Sequence, residues 1–477
     1  MDGKSNQYRK TEFCILKGKP LSQLQEIERG FLLMAITETK TKYGQVHGVQ
    51  KDGYTVFRGV PYAKPPVGEK RFCPPEEPAC WEGVYKADHF GCVCPQTEHE
   101  PDSFYGKEFY LDPEFGMNQS EDCLYLNIWT PANAADEKLP VAFWIHGGAF
   151  MHGFSHESEF DGAAYCERGV ILVTINYRLG AFGFLAHPWL SEESGVGRSG
   201  NYAILDQIAA LKWVKENIAA FGGDPENITV FGQSAGCMSV QTLISSPLTE
   251  NWISKAIFQS AGGYDTGLNR DMPLSEAETI GQEFVELSGA KSLEELRAIP
   301  AEKIVELQEE FGRVNPSRML SFVPNIDNHL LTCGYNDAVT EGRIKDIPYM
   351  LGSTADDIGV FPEMKEKGEH GGIYKGCINW SLALEKLGRK PAYVYYFTRA
   401  LLGDNAGAFH SSELWYMFGT LGRSWRPKTE GDYALSKEMM DDWTNFMKTG
   451  NPNAEGKDDW KPCTKDDPYV QVLDVRK

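Results

Sequence analysis

The segment Asn227-Ile-Thr-Val-Phe-Gly-Gln-Ser-Ala-Gly236 joins two stretches of different periodicity. The apolar run that ends at Phe231 predicts a strand, and the residues from Ala235 onward predict a helix. Between them lies the pattern Gly-x-Ser-x-Gly, which is typical of a nucleophile elbow, a strained turn that exposes a serine at the carboxyl end of a strand. The helix N-terminus adds backbone N–H groups and a partial positive charge that suit a developing oxyanion. We therefore expect Ser234 to be a nucleophile.

A second serine follows a strand-like run in a similar way, in Gln259-Ser-Ala-Gly262. Here Phe258 replaces the first glycine, so the tight turn is predicted to be unavailable. We expect Ser260 to be an ordinary residue at the end of a strand.

Apolar, β-branched runs alternate with helical patterns along the chain. The clearest helical pattern covers Asn201–Phe221 and is stopped by Gly222-Gly223. Near-continuous apolar runs fit strands that are buried on both faces of a largely parallel sheet. The sequence therefore predicts an α/β doubly wound architecture with helices on both faces of the sheet. The predicted strand runs are Val141–Ile145, Val170–Asn176, Ile228–Phe231, Ala256–Phe258, Pro348–Leu351 and Ala392–Phe397.

The chain has 477 residues, with no internal repeat and no long linker. One large domain over residues 34–477 is favoured over two or three smaller domains. Residues 1–33 are polar and differ in character, so we treat them as an N-terminal extension. Met34 could be the natural start, or the extension could be a genuine segment packed on the surface.

The charge balance restricts the class of partner. Lys and Arg number 47 and Asp and Glu number 67, which gives a net charge of −20. Nucleic acid and anionic membranes both need basic patches, so neither is expected as a partner. No run of about 18 apolar residues predicts a membrane helix, and the N-terminus does not fit a signal peptide. Eleven cysteines at irregular spacing favour a reduced, cytoplasmic protein.

A glycine-rich loop, His146-Gly-Gly-Ala-Phe150, directly follows a predicted strand. Such a loop at the carboxyl end of a strand can direct backbone N–H groups into a site. The expected oxyanion-hole donors are the amides of Gly148, Ala149 and Ala235. The side chain of His146 is expected to hold the loop and not to act as a base.

These motifs together resemble the type-B carboxylesterase family of α/β-hydrolases, and the resemblance runs in order over roughly residues 40–470. It implies the α/β-hydrolase fold, with the catalytic residues in the chain order serine, acid, histidine. The matching stretches are Phe57–Gly68, Ser120–Asn127, Trp144–Phe150, Asn176–Phe184, Phe221–Pro225, Gly232–Gly236 and Phe446–Asn453.

The acid has two candidates, Asp356 and Asp357, which follow the strand run that ends at Leu351. A carboxylate there would lie at the same edge of the sheet as the elbow. Aligning Gly352 with the family glycine puts the catalytic position at Asp357, where the family usually has glutamate. Asp357 is favoured and Asp356 stays open; the other one is expected to be a solvated turn or a helix-capping residue.

The base follows from the chain order. Only His329, His370 and His410 come after Ser234, and His329 precedes the acid. His370 lies 13 residues after Asp357 in a charged loop, whereas His410 follows the strand run Ala392–Phe397. His410 also matches the family pattern Gly-x-x-His-x-x-Glu. We therefore expect His410 to be the base.

The resemblance implies further roles. Arg71 and Glu121 match a structural ion pair of the family. Cys94 and Cys123 match positions that are disulfide-bonded in secreted members, and in a reducing cytoplasm we expect free thiols. Gln233 stands where many relatives have glutamate, which argues against a cationic substrate and hence against a cholinesterase.

No cofactor or metal is expected. Gly195-x-Gly197-x-x-Gly200 superficially fits a dinucleotide fingerprint, but the residues before it do not predict a strand. His152 and His156 have i, i+4 spacing, but Gly153 lies between them and no carboxylate motif accompanies them. We expect these two histidines to line the mouth of the pocket.

The sequence thus predicts a serine carboxylesterase that hydrolyses small to medium esters through an acyl-enzyme intermediate. Acetylated or aromatic esters, such as phenolic acid esters, are candidate substrates. The alternatives are a non-catalytic binding or adhesion member of the fold and a lipase. Only 53 residues separate Asp357 from His410, fewer than in the animal enzymes, which predicts an open pocket. The sequence does not determine the oligomeric state.

Overall fold

The computed structural model describes residues 35–268 and 270–476, so the proposed extension over residues 1–33 lies outside the described residues. Thirteen strands are present in this part of the chain. They are β1 Glu38–Lys40, β2 Gln45–His47, β3 Val49–Gln50, β4 Thr55–Pro61, β5 Val84–Lys86, β6 Tyr125–Thr130, β7 Leu139–Ile145, β8 Ile171–Ile175, β9 Gly223–Gln233, β10 Lys255–Gln259, β11 Tyr349–Thr354, β12 Tyr393–Phe397 and β13 Gln471–Leu473.

Fourteen α-helices connect or flank these strands in the described ranges. They are α1 Phe104–Phe109, α2 Ala163–Cys166, α3 Gly180–Phe184, α4 Pro188–Glu193, α5 Tyr202–Asn217, α6 Ala235–Ser245, α7 Leu274–Ser288, α8 Leu293–Ala298, α9 Ala301–Val314, α10 Tyr335–Thr340, α11 Pro362–Glu366, α12 Gly372–Lys386, α13 Leu414–Met417 and α14 Glu430–Thr449. Short 3-10 helices add Gly68–Lys70, Pro113–Phe115, Ile218–Phe221, Pro247–Thr249, Pro316–Arg318 and Leu421–Arg423.

Ten strands form the central sheet, in the order β13-β12-β11-β10-β9-β7-β8-β6-β4-β3. All pairs from β13 to β8 are parallel, and the three pairs from β8 to β3 are antiparallel. β1, β2 and β5 form a separate three-stranded sheet. The prediction of a largely parallel α/β sheet is therefore confirmed.

Both faces of the central sheet are buried, as the near-continuous apolar runs indicated. Along β7, Val141, Phe143 and Ile145 pack into one hydrophobic cluster, whereas Ala142 and Trp144 pack into the cluster on the opposite face. This alternation follows from the two-residue period of a strand.

The helix predicted at Asn201–Phe221 is also present. α5 covers Tyr202–Asn217, the 3-10 turn Ile218–Phe221 extends it, and it ends at Gly222, whose φ is 83°. Only a glycine adopts that left-handed conformation without strain, so the glycine stops the helix.

Because β7, β9, β11 and β12 run parallel, their carboxyl ends meet at one edge of the sheet. The loops that leave these four strands carry the residues singled out from the sequence. Long-range strand order, and not sequence proximity, therefore determines which loops meet.

Candidate active site

The turn between β9 and α6 has the strained geometry of an elbow. Ser234 adopts φ 56° and ψ −125°, outside the regions that ordinary residues favour. Its backbone N–H donates to the Gln259 carbonyl oxygen at 2.9 Å. A Cβ atom on Gly236 would collide with the Ile145 carbonyl oxygen, and one on Gly232 would lie 2.6 Å from the Gly236 carbonyl carbon. Both glycines of the motif are thus required by close packing of the backbone.

Ser260 departs from its prediction in one respect. It also adopts a left-handed conformation, with φ 54°, so the missing glycine did not make the turn unavailable. Its backbone N–H donates to the carbonyl oxygen of Gly352 in the neighbouring strand β11 at 2.9 Å, a bond that the sequence pattern does not reveal. The Ser260 side chain is only 1% exposed and lies outside the cavity that contains Ser234.

The imidazole of His410 is paired with Asp357. The distance from His410 Nδ1 to Asp357 Oδ1 is 2.6 Å, and both side chains are largely buried. The Asp357 carboxylate also accepts the backbone N–H of Thr354 at 3.0 Å and of Ile358 at 2.8 Å. Three donors therefore fix this carboxylate in the orientation that holds the imidazole.

Asp356 has a different environment. Its carboxylate forms an ion pair with Lys365 and accepts the backbone N–H of Ala408 at 2.8 Å. The Asp356 backbone N–H donates in turn to the Ala408 carbonyl at 2.9 Å. The expectation of a solvated turn or a helix cap was wrong for this residue, because its carboxylate ties the loop after β11 to the segment that carries His410.

The second imidazole nitrogen of His410 contacts Gln233. The two Nε2 atoms are 3.1 Å apart, and within the described residues no hydrogen bond joins His410 to Ser234. Since the Gln233 amide donates, His410 Nε2 accepts and carries no proton, while Nδ1 carries the proton that is shared with Asp357. The contact fixes one tautomer of the imidazole.

The loop after β7 presents strained backbone to the same cavity. Gly148, Ala149 and Phe150 adopt φ values of 96°, 55° and 61°. The amides of Gly148 and Ala149 donate no hydrogen bond to any residue in ranges 35–268 and 270–476. A Cβ atom on Gly147 would lie 2.8 Å from the Gln233 carbonyl oxygen and 3.2 Å from Ser234 Cβ. The absence of a side chain lets this loop lie directly against the elbow.

The side chain of His146 is buried and packs against this loop. It is 1% exposed, its ring stacks on Tyr177 with 4.4 Å between centroids, and its Nδ1 lies 3.0 Å from the Gly147 carbonyl oxygen. Burial lowers the pKa of His146 to about 4, so the ring is neutral at physiological pH. It does not line the cavity, in keeping with a structural role.

One cavity of about 230 Å³ contains Ser234, His410, Gly148 and Ala149. Its other walls are mainly aromatic, and His152 is one of the residues that line it. His156 instead stacks on Phe90 at 4.3 Å and does not line the cavity, so the expectation of two histidines at the pocket is wrong for His156. The aromatic wall residues are Tyr105, Phe109, Tyr110 and Phe160.

A larger cavity of about 1,140 Å³ opens elsewhere, among Phe72, Tyr202 and Arg297. It contains none of the residues predicted for the site. Volume alone therefore does not identify the cavity that holds the predicted residues.

Sequence reasoning missed several side chains of the smaller cavity. Tyr105, Phe109 and Tyr110 come from α1 and the residue after it, a segment without a recognisable motif. Glu157 and Glu159 also line the cavity. Their only sequence signal was the presence of two acidic residues soon after the glycine-rich loop.

The ion pair implied by the resemblance is present. Arg71 Nε donates to Glu121 Oε1 at 2.6 Å, and both side chains are mostly buried. A second guanidinium nitrogen of Arg71 donates to the Arg297 carbonyl oxygen at 3.0 Å, at the end of α8. Cys94 and Cys123 are buried free thiols in hydrogen-bond contact with each other.

The described part of the chain supports neither the dinucleotide-binding motif nor a metal site. The residues before Gly195 form helix α4, not a strand, so the dinucleotide pattern lacks its context. Among residues 35–268 and 270–476, no group of three or more His, Cys, Asp or Glu side chains is placed to hold a metal ion. No helix in these ranges is long and apolar enough to cross a membrane.

Comparison with known proteins gives concordant matches over nearly all of the chain. A sequence profile of the Carboxylesterase family matches residues 36–372 and 374–477. The para-nitrobenzyl esterase of Bacillus subtilis (strain 168) is 33% identical over 481 residues, which covers 91% of this chain and 94% of that protein. The fumonisin B1 esterase of Sphingopyxis macrogoltabida is 33% identical over 471 residues and covers 88% and 83%. A solved PNB esterase superposes with a TM-score of 0.80 at 31% identity, over 92% of this chain and 96% of that chain.

Proposed function

The chain belongs to the carboxylesterase family and is a carboxylic ester hydrolase, and on this premise we propose that Ser234, His410 and Asp357 form its catalytic triad. The observation that carries the assignment is the 2.6 Å contact between His410 Nδ1 and Asp357 Oδ1, with His410 and Ser234 in one cavity. An imidazole that is oriented by a buried carboxylate and shares a cavity with a serine hydroxyl is the arrangement that activates a nucleophile.

In this mechanism Ser234 Oγ attacks the ester carbonyl carbon while His410 Nε2 takes the hydroxyl proton. For this step the ring exchanges its contact with the Gln233 amide for one with the hydroxyl of Ser234, which lines the same cavity. The protonated His410 then gives its proton to the leaving alcohol, and water hydrolyses the acyl-enzyme with His410 again as base. Asp357 stabilises the transient imidazolium charge.

The oxyanion that forms on the carbonyl oxygen would be held by the backbone N–H groups of Gly148, Ala149 and Ala235. Two of these amides belong to the strained loop and one begins α6, so the loop and the helix dipole act on the same atom. Donors that are fixed before reaction stabilise the transition state without a cost of reorganisation.

The substrate is proposed to be a small to medium ester. A cavity of about 230 Å³ lies below the ~300–1,000 Å³ of pockets that hold drug-sized ligands. Its aromatic walls suit apolar or aromatic groups. We also propose that residues 34–477 act as one catalytic domain, because the central sheet takes strands from Val49–Gln50 to Gln471–Leu473.

Hydrolysis of p-nitrophenyl acetate, butyrate and octanoate by the purified protein tests the proposal. Ser234→Ala should lower turnover by about 10⁶-fold, as removal of a triad serine does elsewhere. Ser260→Ala is the matched control and should keep full activity, because Ser260 lies outside the cavity.

An inactive wild-type protein would favour the alternative of a non-catalytic member of the fold. Equal loss in both serine variants would contradict the assignment of Ser234. Preference for octanoate over acetate would enlarge the proposed substrate range towards that of a lipase.

A further inference from the structure

Two large apolar side chains of the active-site cavity reach the surface of the protein. Tyr105 and Ile358 both line this cavity, and they are nevertheless 36% and 46% exposed. By contrast, the apolar lining residues Phe109, Phe160 and Leu414 are buried. Tyr105 and Ile358 therefore mark the mouth of the cavity, where its wall continues onto the outer surface.

A third exposed side chain extends this apolar surface. Phe104 is 43% exposed, and its ring lies edge-on to that of Tyr105 with 5.2 Å between centroids. It also lies edge-on to the ring of Phe409, the residue before His410, at 4.9 Å. We call Phe104, Tyr105 and Ile358 the apolar rim. Exposed apolar side chains that are grouped around a cavity are typical of a surface that contacts a ligand.

The cavity is small for a complete ester of medium size. Its volume of about 230 Å³ lies below the ~300–1,000 Å³ of pockets that hold drug-sized ligands. In the proposed mechanism the ester carbonyl lies between Ser234 and the amides of Gly148 and Ala149, which all line this cavity. A long group on one side of the carbonyl must then extend through the mouth, where it meets the rim.

The rim lies on the imidazole side of the cavity. The backbone N–H of Ile358 donates at 2.8 Å to Asp357 Oδ1, the oxygen that lies 2.6 Å from His410 Nδ1. Burial and then the negative charge of Asp357 raise the pKa of Tyr105 to about 12, so the Tyr105 hydroxyl also faces the acid. Phe104 contacts the residue before His410. All three rim residues thus border the segments that carry the acid and the base.

This position distinguishes the two halves of the ester. His410 Nε2 returns its proton to the oxygen of the leaving alcohol, so the alcohol half must lie beside the imidazole. The carbonyl oxygen takes the place next to the amides of Gly148 and Ala149. The acyl group is then left with the enclosed part of the cavity.

We propose that the apolar rim binds the alcohol half of the ester, so that the enzyme selects small acyl groups joined to extended apolar alcohols. The inference rests on the proposed function of the same cavity and gives its substrate class. The acyl group occupies the enclosed cavity, and the alcohol chain passes between Tyr105 and Ile358 towards Phe104. Removal of the chain and the rim from water favours this arrangement.

Two series of alkyl esters test the proposal in the wild-type enzyme. The alcohol series is ethyl, butyl and hexyl acetate, and the acyl series is ethyl acetate, ethyl butyrate and ethyl hexanoate. Complete burial of a methylene group is equivalent to about a fourfold change, and an open rim covers one side of the chain, so we expect about twofold per methylene. From ethyl to hexyl acetate, kcat/KM should therefore rise by about tenfold. Hexyl acetate should also exceed its isomer ethyl hexanoate, although both carry the same number of methylene groups.

Variants of the rim assign the rise to these side chains. Ile358→Ser and Tyr105→Ser each remove part of the apolar surface, so the rise from ethyl to hexyl acetate should fall to about threefold or less. Ile358→Leu and Tyr105→Phe keep that surface and should keep the rise. Val314→Ser is the matched control, because Val314 is 61% exposed at the end of α9 and lies outside the cavity. Since each rise compares substrates on one preparation, the fraction of folded enzyme cancels.

Three results would overturn the proposal. They are a wild-type kcat/KM that does not rise along the alcohol series, ethyl hexanoate hydrolysed as efficiently as hexyl acetate, and a full rise in Ile358→Ser and Tyr105→Ser. In each of these cases the enzyme still hydrolyses esters. Failure of the proposed function would look different, since the wild-type protein would then hydrolyse no ester of either series or Ser234→Ala would stay active.

Discussion

His410 Nε2 lies 3.1 Å from Nε2 of Gln233, the residue directly before Ser234. An amide N–H donates across this distance, so the imidazole presents a lone pair at Nε2 and keeps its proton at Nδ1, against Asp357. This is the tautomer that a general base requires. Gln233 therefore prepares the imidazole electrostatically for proton transfer, although it is not one of the three expected catalytic residues.

Replacing Gln233 by glutamate should change the pH dependence of hydrolysis. A carboxylate at this distance would stabilise the protonated imidazole, so the acidic limb of the profile of kcat/KM against pH should move upward by about one pH unit. Gln233→Met removes a donor that stabilises the neutral imidazole but adds no charge, so it should move the limb in the same direction by a smaller amount. Identical shifts in both variants would contradict an electrostatic role.

The two adjacent aspartates should differ sharply when each is replaced by asparagine. Asp357→Asn should lower kcat by about 10⁴-fold, because the imidazole loses the partner that fixes its tautomer. Asp356→Asn should lower kcat by less than about tenfold, and its main effect should be a lower Tm, since Asp356 binds Lys365 and the Ala408 amide. Steady-state kinetics and thermal unfolding of the two variants distinguish the roles; the reverse pattern would make Asp356 the acid.

Replacing Gly147 by alanine should lower kcat more than it lowers stability. The added Cβ would lie 2.8 Å from the Gln233 carbonyl oxygen and 3.2 Å from Ser234 Cβ, so the loop must move away from the elbow. Displaced oxyanion donors should lower kcat by about 10²–10³-fold. Gly422→Ala is the control, because its Cβ would meet no atom within 4 Å. Full activity of Gly147→Ala would show that the loop does not need this close contact.

The buried carboxyl of Glu413 should make stability depend on pH. Burial, aided by the negative charge of Asp357, raises the pKa of Glu413 to about 7, from an ordinary value of 4.5. The unfolded chain ionises first, so this contribution to stability is complete below the unfolded value and is lost as pH rises through about 7. The loss amounts to about 3 kcal/mol.

Glu413→Gln cannot ionise and should therefore gain stability relative to the wild type as pH rises. The difference in free energy of unfolding between variant and wild type, measured with urea, should increase by about 3 kcal/mol between about pH 4 and pH 8. A difference that is independent of pH would mean that the carboxyl of Glu413 is already ionised in the folded protein.

Features that depend on residues close together in the chain could be predicted from the sequence. The two-residue and 3.6-residue periods separated strands from helices, and this predicted a sheet buried on both faces. The glycines on either side of Ser234 marked the elbow, because only glycine permits the close approach to Ile145 and within the turn. The chain order of serine, acid and histidine that the family resemblance implies then left His410 as the expected base.

Features that depend on distances between remote segments needed the tertiary structure. Asp356 and Asp357 are neighbours in the chain, but their side chains point in different directions, one to the Ala408 amide and the other to the His410 ring. Ser260 has a left-handed conformation and its amide is bonded to Gly352 of the neighbouring strand β11, whereas the pattern around it gave the opposite expectation.

The sequence by itself determined which strands, turns and reactive side-chain types this protein has, because these follow from contacts among residues close in the chain. Only the tertiary structure decided that Gln233 faces His410 and that Asp357, not Asp356, pairs with the His410 ring. Hydrogen-bond partners and the charge states of buried groups depend on which distant segments exclude water from them, and that is a property of the folded chain as a whole.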